Sequence, residues 1–306
     1  MDNGCNRWIS INQLHLVLSA TLCLVLCLFW LGVGTAQAAP WSKIQERGYL
    51  IVAVKDNLRP LGFKDEKGNL QGLEIDLAQE LAKDLLGKAE KVKFKPVLNR
   101  DRLSVVFEDQ VDLAIAQLTA TESRSRLVSF GVPYYFDGVN LVTKNTDIQK
   151  LKDLNQRKIA VLNYSSTVGI IRNFIPNAEL IAVNSYSAAR EKLENNQVDA
   201  FAGDGSVLTG WVQENPEYRL INTQLSAYPL SVAMPKGLQY DEFRRKVNEA
   251  IARYTLTGWL NERVKYWGLP AGRGAGGQGA GEQGSRGAGE QGAGEQGAGG
   301  KIRINS

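Results

Sequence analysis

Arg124 closes the stretch Thr119-Ala120-Thr121-Glu122-Ser123-Arg124, a combination suited to holding an anion. Thr119 with Glu122, or Thr121 as the cap itself, fits a helix N-terminus, where unpaired backbone N–H groups and the positive end of the helix dipole favour negative charge. Arg124 adds a planar fork that can meet a carboxylate through two parallel hydrogen bonds. The same residues also suit an ordinary helix cap with Arg124 in solvent. Further along, Asp204 ends the apolar run Phe201-Ala202-Gly203. A carboxylate there could receive an ammonium group, or cap a helix over Ser206 to Gln213, or do both. Arg124 and Asp204 together would match the two charges of a free amino acid. Lys55 and Arg102 follow two other strand-like runs, so they are either surface charges or a basic surplus suited to a ligand with a second acid group.

Much other chemistry is excluded. The only His, His15, and all three Cys, at 5, 23 and 27, fall in the first 27 residues. If that segment is removed, no Cys or His nucleophile, thiolate metal site or disulfide is available, and no metal or cofactor is expected. Without a His, affinity should be flat between about pH 6 and 8. Ser165 and Ser166 have no base to activate them, and no Gly-rich loop follows a strand to cradle a phosphate. A net charge of +4 without interleaved aromatic and basic residues does not suggest a nucleic-acid partner.

The elements that must position these residues alternate. Tyr49–Val54, Lys91–Val97 and Val111–Ala116 read as strands, with helices over Leu73–Leu86 and Arg102–Glu108 between them. The order returns with strands Lys158–Leu162, Glu179–Val183 and Val198–Gly203 around helices Thr167–Phe174 and Ser187–Asn195. Gln110-Val111-Asp112 and Gln197-Val198-Asp199 repeat the same words at equivalent points. Two similar α/β lobes follow, meeting through the apolar runs Gly138–Thr143 and Leu230–Met234, with helices Tyr240–Tyr254 and Trp259–Tyr266 after the return. Ligands of open α/β sheets bind beyond the carboxyl ends of the strands, so one central cleft is expected.

Both ends differ from this core. Leu16–Val33 is apolar, and Ala36-Gln37-Ala38 before Ala39 is a small-x-small cleavage pattern, so residues 1–39 read as a secretory signal peptide. A retained anchor is the alternative. Residues 271–306, with near repeats of Gly-Ala-Gly-Glu-Gln, have too little apolar surface to fold and read as a disordered tail. Lobe 1 is then expected over 40–139 and 234–270, and lobe 2 over 140–233.

The run Lys64-Asp65-Glu66-Lys67-Gly68-Asn69-Leu70-Gln71-Gly72-Leu73-Glu74-Ile75-Asp76-Leu77-Ala78, then Val111-Asp112-Leu113, Thr121-Glu122-Ser123-Arg124, Ser129-Phe130 and Pro133-Tyr134-Tyr135, resembles periplasmic family 3 solute-binding proteins of polar amino acid ABC transporters. The resemblance covers about residues 44–269. It implies an α/β fold of the type II periplasmic binding protein kind, two lobes on a two-stranded hinge. It also implies a non-enzymatic, monomeric periplasmic protein that closes around one L-amino acid and presents it to a membrane permease. In such proteins the residue matching Arg124 holds the α-carboxylate with help from Thr119 and a backbone group at Gln117. The residue matching Asp204 takes the α-ammonium, and the turn matching Leu162–Ser166, with Ser165 and Ser166, contributes from the second lobe. Many relatives have an aromatic lid where Leu58 stands. Asn99–Leu103 resembles the version in acidic amino acid binders, where the counterpart of Arg102 pairs with the ligand side chain, Lys55 falls at another basic position and Tyr186 at a polar ring. Glutamate or aspartate is the expected ligand, then glutamine. A dehydratase of the arogenate or cyclohexadienyl type, or a receptor ligand-binding domain, is the alternative on this scaffold.

Overall fold

The computed structural model describes residues 39–271 apart from Tyr164, Asn222 and Thr223. The expected signal peptide and tail fall almost wholly outside the described residues. The chain enters through α1 (Trp41–Arg47) and β1 (Leu50–Val54). A small antiparallel sheet of β2 (Asn57–Leu58), β3 (Gly62–Lys64) and β4 (Leu70–Gln71) follows, leading into α2 (Leu73–Leu86). Then come β5 (Val92–Pro96), α3 (Ser104–Phe107), β6 (Leu113–Ile115), α4 (Glu122–Ser125) and β7 (Ser129–Asp137). The second lobe runs β8 (Val139–Thr143), β9 (Lys158–Leu162), α5 (Thr167–Phe174), β10 (Glu179–Val183), α6 (Tyr186–Glu194), β11 (Ala200–Asp204), α7 (Gly205–Glu214) and β12 (Arg219–Ile221). The chain returns through β13 (Tyr228–Met234), α8 (Asp241–Leu256) and α9 (Trp259–Tyr266).

The sheets are ordered β5-β1-β6-β13-β7 and β10-β9-β11-β8-β12. In each, three parallel strands stand second-first-third, and the remaining strands join antiparallel to a neighbour. β1 is buried at every position because helices cover both faces of its sheet, which is why it reads as an unbroken apolar run rather than an alternating one. On one face Leu73, Leu77 and Leu81 of α2 pack with Phe243, Val247 and Ile251 of α8, the helical spacing that placed both amphipathic stretches.

Two crossings link the lobes. β7 passes into β8 through Gly138, and the return passes from β12 to β13, so β13 pairs with β6 and β7 in the first sheet. The first lobe therefore resumes at Tyr228 instead of the expected 234. The crossings touch so closely that a Cβ on Gly138 would overlap the carbonyl oxygen of Ser226. Most expected elements lie within a residue or two of their places. The helix expected over Arg102–Glu108 is a single turn, Ser104–Phe107, after a 3-10 turn over Asn99–Asp101.

The repeated Gln-Val-Asp words have a structural meaning. The carboxylate of Asp112 accepts the N–H of Ile51 at 2.7 Å, and that of Asp199 accepts the N–H of Lys158 at 2.9 Å. Each aspartate clips the start of the middle strand of its lobe's parallel three, completing a backbone donor that the ladder leaves open.

Candidate functional site

Five of the expected residues meet in one cavity of about 170 Å³ between the lobes. The first lobe supplies Arg102, Gln117, Thr119 and Arg124, with Asp137 at the crossing. The second supplies Asp204, and the return strand adds Tyr228 and Leu230. The volume suits a small metabolite, below the usual range of drug-sized pockets.

Thr121 is the cap of the short helix α4, its hydroxyl accepting the N–H of Arg124 at 3.3 Å. Nη1 of Arg124 donates to the carbonyl of Thr119 at 3.0 Å, which fixes the guanidinium against the loop that follows β6. Nε of Arg102 donates to the carbonyl of Asn99 at 3.1 Å, and its Nη1 to those of Ala116 and Gln117 at 2.9 Å each. Burial, then the charge of nearby Arg124, pushes Arg102 below the ordinary arginine range. Two guanidiniums thus share one wall of a small cavity, a cost that an anionic group between them would offset.

Asp204 stands at the N-cap position of α7, yet its side chain makes no capping bond. That task falls to Asp137, whose carboxylate accepts the N–H of Gly138 at 2.8 Å, the N–H of Ser206 at 3.0 Å and the Ser206 hydroxyl. Burial raises the Asp137 carboxyl, and these converging donors pull it back toward the ionised form. Burial and the neighbouring charge of Asp137 push the Asp204 carboxyl up to about 6. An uncapped, desolvated carboxylate beside another one is a receptor for a cation. Gln117 spans the cleft, its side-chain amide donating to the Ser206 hydroxyl at 3.4 Å.

The other expected residues stand apart from this cavity. Lys55 is buried, 4% exposed, and its Nζ donates to the carbonyl of Val97 at 3.0 Å, so it lies behind the wall. Asn99 contributes its carbonyl to Arg102 and does not line this cavity. Ser165 bonds locally to Thr167, accepting its N–H at 3.1 Å and donating to its hydroxyl at 2.9 Å, and neither it nor Ser166 lines the cavity. Leu58 and Tyr186 line a neighbouring cavity of about 230 Å³ under the β2–β3 hairpin. Burial and then the charge of Asp204 raise the Tyr186 hydroxyl, which places the ring at the edge of the main site.

That hairpin packs against the second lobe. A Cβ on Gly210 of α7 would overlap the carbonyl oxygen of Arg59, and Nε of Arg59 stands 3.3 Å from Oε1 of Glu214. A further cavity of about 550 Å³ lies elsewhere, between β7 and α9, and is lined mainly by apolar side chains.

Two groups behind or beside the cleft escaped the sequence reading. Glu74 is completely buried in the first turn of α2, where Oε1 accepts the N–H of Gln117 at 2.7 Å and the hydroxyl of Tyr134 at 2.6 Å. Asp137 is buried at the end of β7. One signal was present: an acid at the core-facing side of an otherwise apolar helix start, and another inside the apolar run Tyr134–Leu141.

A two-lobed α/β scaffold with a charged interlobe cavity of this size is the architecture of a small-solute binder. Residues 50–270 match the bacterial extracellular solute-binding proteins, family 3, and the chain belongs to that family. It is similar to the ABC transporter glutamine-binding protein GlnH of Bacillus subtilis (strain 168), 28% identical over 229 residues that cover 74% of this chain and 83% of GlnH. It is 32% identical to the glutamine-binding protein of Geobacillus stearothermophilus over 198 residues, 64% of this chain and 76% of that protein. A solved ancestral arginine-binding protein bound to glutamine matches with TM-score 0.54 and 31% identity, covering 72% of this chain and 98% of that one. The protein is an amino acid ABC transporter substrate-binding protein.

Proposed function

We propose that the cavity takes a polar L-amino acid with an uncharged side chain, of the glutamine kind, ahead of glutamate or aspartate. Its α-carboxylate would pair with Arg124, aided by Thr119 and the backbone of Gln117, its α-ammonium would pair with Asp204, and its side chain would end near Arg102. The carrying observation is the charge balance. The expectation of an acidic ligand rested on three cations, but only Arg102 and Arg124 line the cavity, and they face Asp137 and Asp204. A zwitterion with a neutral side chain leaves that balance at zero, whereas lysine or arginine would set like charge against Arg102. Two of the similar proteins named above are glutamine binders, which supports this order. We further propose that the protein binds without turnover, acts as a monomer and passes its ligand to a permease outside the cytoplasm.

Titration calorimetry with the common amino acids tests the reading. Glutamine should bind tightest and glutamate next, and Arg124→Ala should weaken every ligand by about 100-fold, the loss of a bidentate charge-assisted contact. Binding of no amino acid would overturn the proposal, tightest binding of lysine or arginine would overturn the charge reading, and turnover of arogenate or prephenate would make the protein an enzyme.

A further inference from the structure

We propose that Glu74, although it contributes no surface to the cavity, sets the ligand charge that the site accepts: its buried carboxylate cancels Lys55 and holds the Gln117–Arg102 edge, so an uncharged side chain is preferred over an acidic one. This rests on the amino acid reading above. Four observations lead to it.

Glu74 is 0% exposed, and a buried charge requires a partner of opposite sign. The cations available are those that follow β1 and β5. Lys55, itself 4% exposed, makes its one side-chain hydrogen bond to a neutral carbonyl, that of Val97. No acid is bonded to it; the carboxylates whose fields reach it are Asp56, which is half-buried and already bonded to Lys64 at 2.9 Å, and then the fully buried Glu74. Lys55 and Glu74 together carry no net charge to the back of the cavity.

The second observation is a relay of bonds. Oε1 of Glu74 accepts the N–H of Gln117, whose backbone is in the left-handed region at φ 51°, uncommon for a residue with a side chain. The carbonyl of Ala116, in the same peptide unit as that N–H, accepts Nη1 of Arg102 at 2.9 Å, as does the carbonyl of Gln117. Glu74 thus fixes the peptide that orients Arg102 in the cavity wall.

The third concerns protonation. Burial pushes the Glu74 carboxyl upward, while Tyr134, Gln117, Arg102 and Lys55 each pull it back. Oε2 has no hydrogen-bond partner among the described residues in either protonation state, so the balance against burial falls to the two donors on Oε1 and the nearby cations. The ionised form, with both donors on Oε1 and two cations nearby, fits its surroundings.

The fourth is the arrangement at the cavity itself, where two guanidiniums already face two carboxylates. Removing the Glu74 charge leaves the site one unit positive, which favours a ligand carrying one extra negative charge. Removing the Lys55 charge does the reverse. Glu74 is a positioning and charge-setting residue that acts through Gln117, Arg102 and the field.

Affinities for glutamate and glutamine measured by calorimetry on the wild type, Glu74→Gln and Lys55→Met decide the matter. Glutamine at position 74 keeps an acceptor oxygen for Gln117 and Tyr134 and loses only the charge. The ratio of glutamate to glutamine dissociation constants should fall about tenfold in Glu74→Gln and rise about tenfold in Lys55→Met, the scale of one unit charge acting across a partly buried site. A purely structural role would weaken both ligands alike, and an unchanged ratio in either folded variant overturns the proposal. Should Glu74→Gln fail to fold, Lys55→Met carries the test, because its expected change has the opposite sign. If the wild type binds neither amino acid, the functional reading falls first and this inference with it. Wild-type binding with unchanged ratios sinks the inference alone.

Discussion

In both lobes three parallel strands stand second-first-third, and in both an aspartate clips the start of the middle one of the three. The lobes differ in what they do with charge. The first buries it: Asp112 has no exposed side-chain surface and pairs with Arg47, Glu74 is fully enclosed, and Lys55 is nearly so. The second keeps it near water, where Asp199 pairs with Arg157 at 3.2 Å with side chains 24% and 44% exposed. At the cleft the contrast becomes one of sign, cations from the first lobe and the carboxylate of Asp204 from the second. A zwitterion, the ligand proposed above, is one that both lobes could hold at once.

The sharpest way to break this comparison is to remove both clips. Asp112→Ala should cost about 3 kcal/mol, because it leaves Arg47 and the N–H of Ile51 without their buried acceptor, and Asp199→Ala about 1 kcal/mol. Equal losses in denaturant melts would mean that burial does not distinguish the lobes.

Next in size is the pH response. Asp204, raised to about 6 in the free protein, must be ionised to receive an ammonium. Affinity should then be flat above about pH 7 and fall by about tenfold for each unit well below 6 as ligand and proton compete. The flat window expected from the lack of His thus ends near its lower edge. The stability sign is opposite: a raised folded pKa means that this group favours the unliganded fold at low pH and that the benefit is lost as pH rises through about 6. Asp204→Asn should abolish the pH slope, and a slope that survives in it would assign the titration elsewhere.

The smallest effect probes the contact between the lobes. Gly210→Ala places a methyl against the Arg59 carbonyl only when the lobes are together, so affinity should drop about fivefold. The unliganded protein should not lose stability, since alanine is the better helix former. A lower melting point without ligand would show that the contact persists when the cleft is empty.

Much of this was legible from the chain because the relevant signals are local. β9, α5 and β10 fall where period and β-branched content placed them, and Arg102, Gln117, Thr119, Arg124 and Asp204, singled out because they follow strands, line one cavity. The rule failed for Lys55, which also follows a strand but turns back to Val97. Glu74 and Asp137 were not found, because their partners, Gln117, Tyr134 and Ser206, come from distant parts of the sequence. A carboxylate that works through tertiary neighbours leaves no periodic trace. The three-stranded hairpin sheet was missed for a related reason, its strands being two or three residues long.

The carboxylate of Asp137 also has a mechanical side. It grips Gly138 at the crossing and Ser206 at the root of α7, so the pivot forms part of the cavity wall. From Ser206 to Glu214, where the Arg59 hairpin rests, α7 extends about 12 Å. A ligand pulling near the fulcrum works on the short arm of this lever, and the hairpin rides on the long one. If an ammonium binds at Asp204 as proposed, a small tightening at that end would become a wider sweep at the rim.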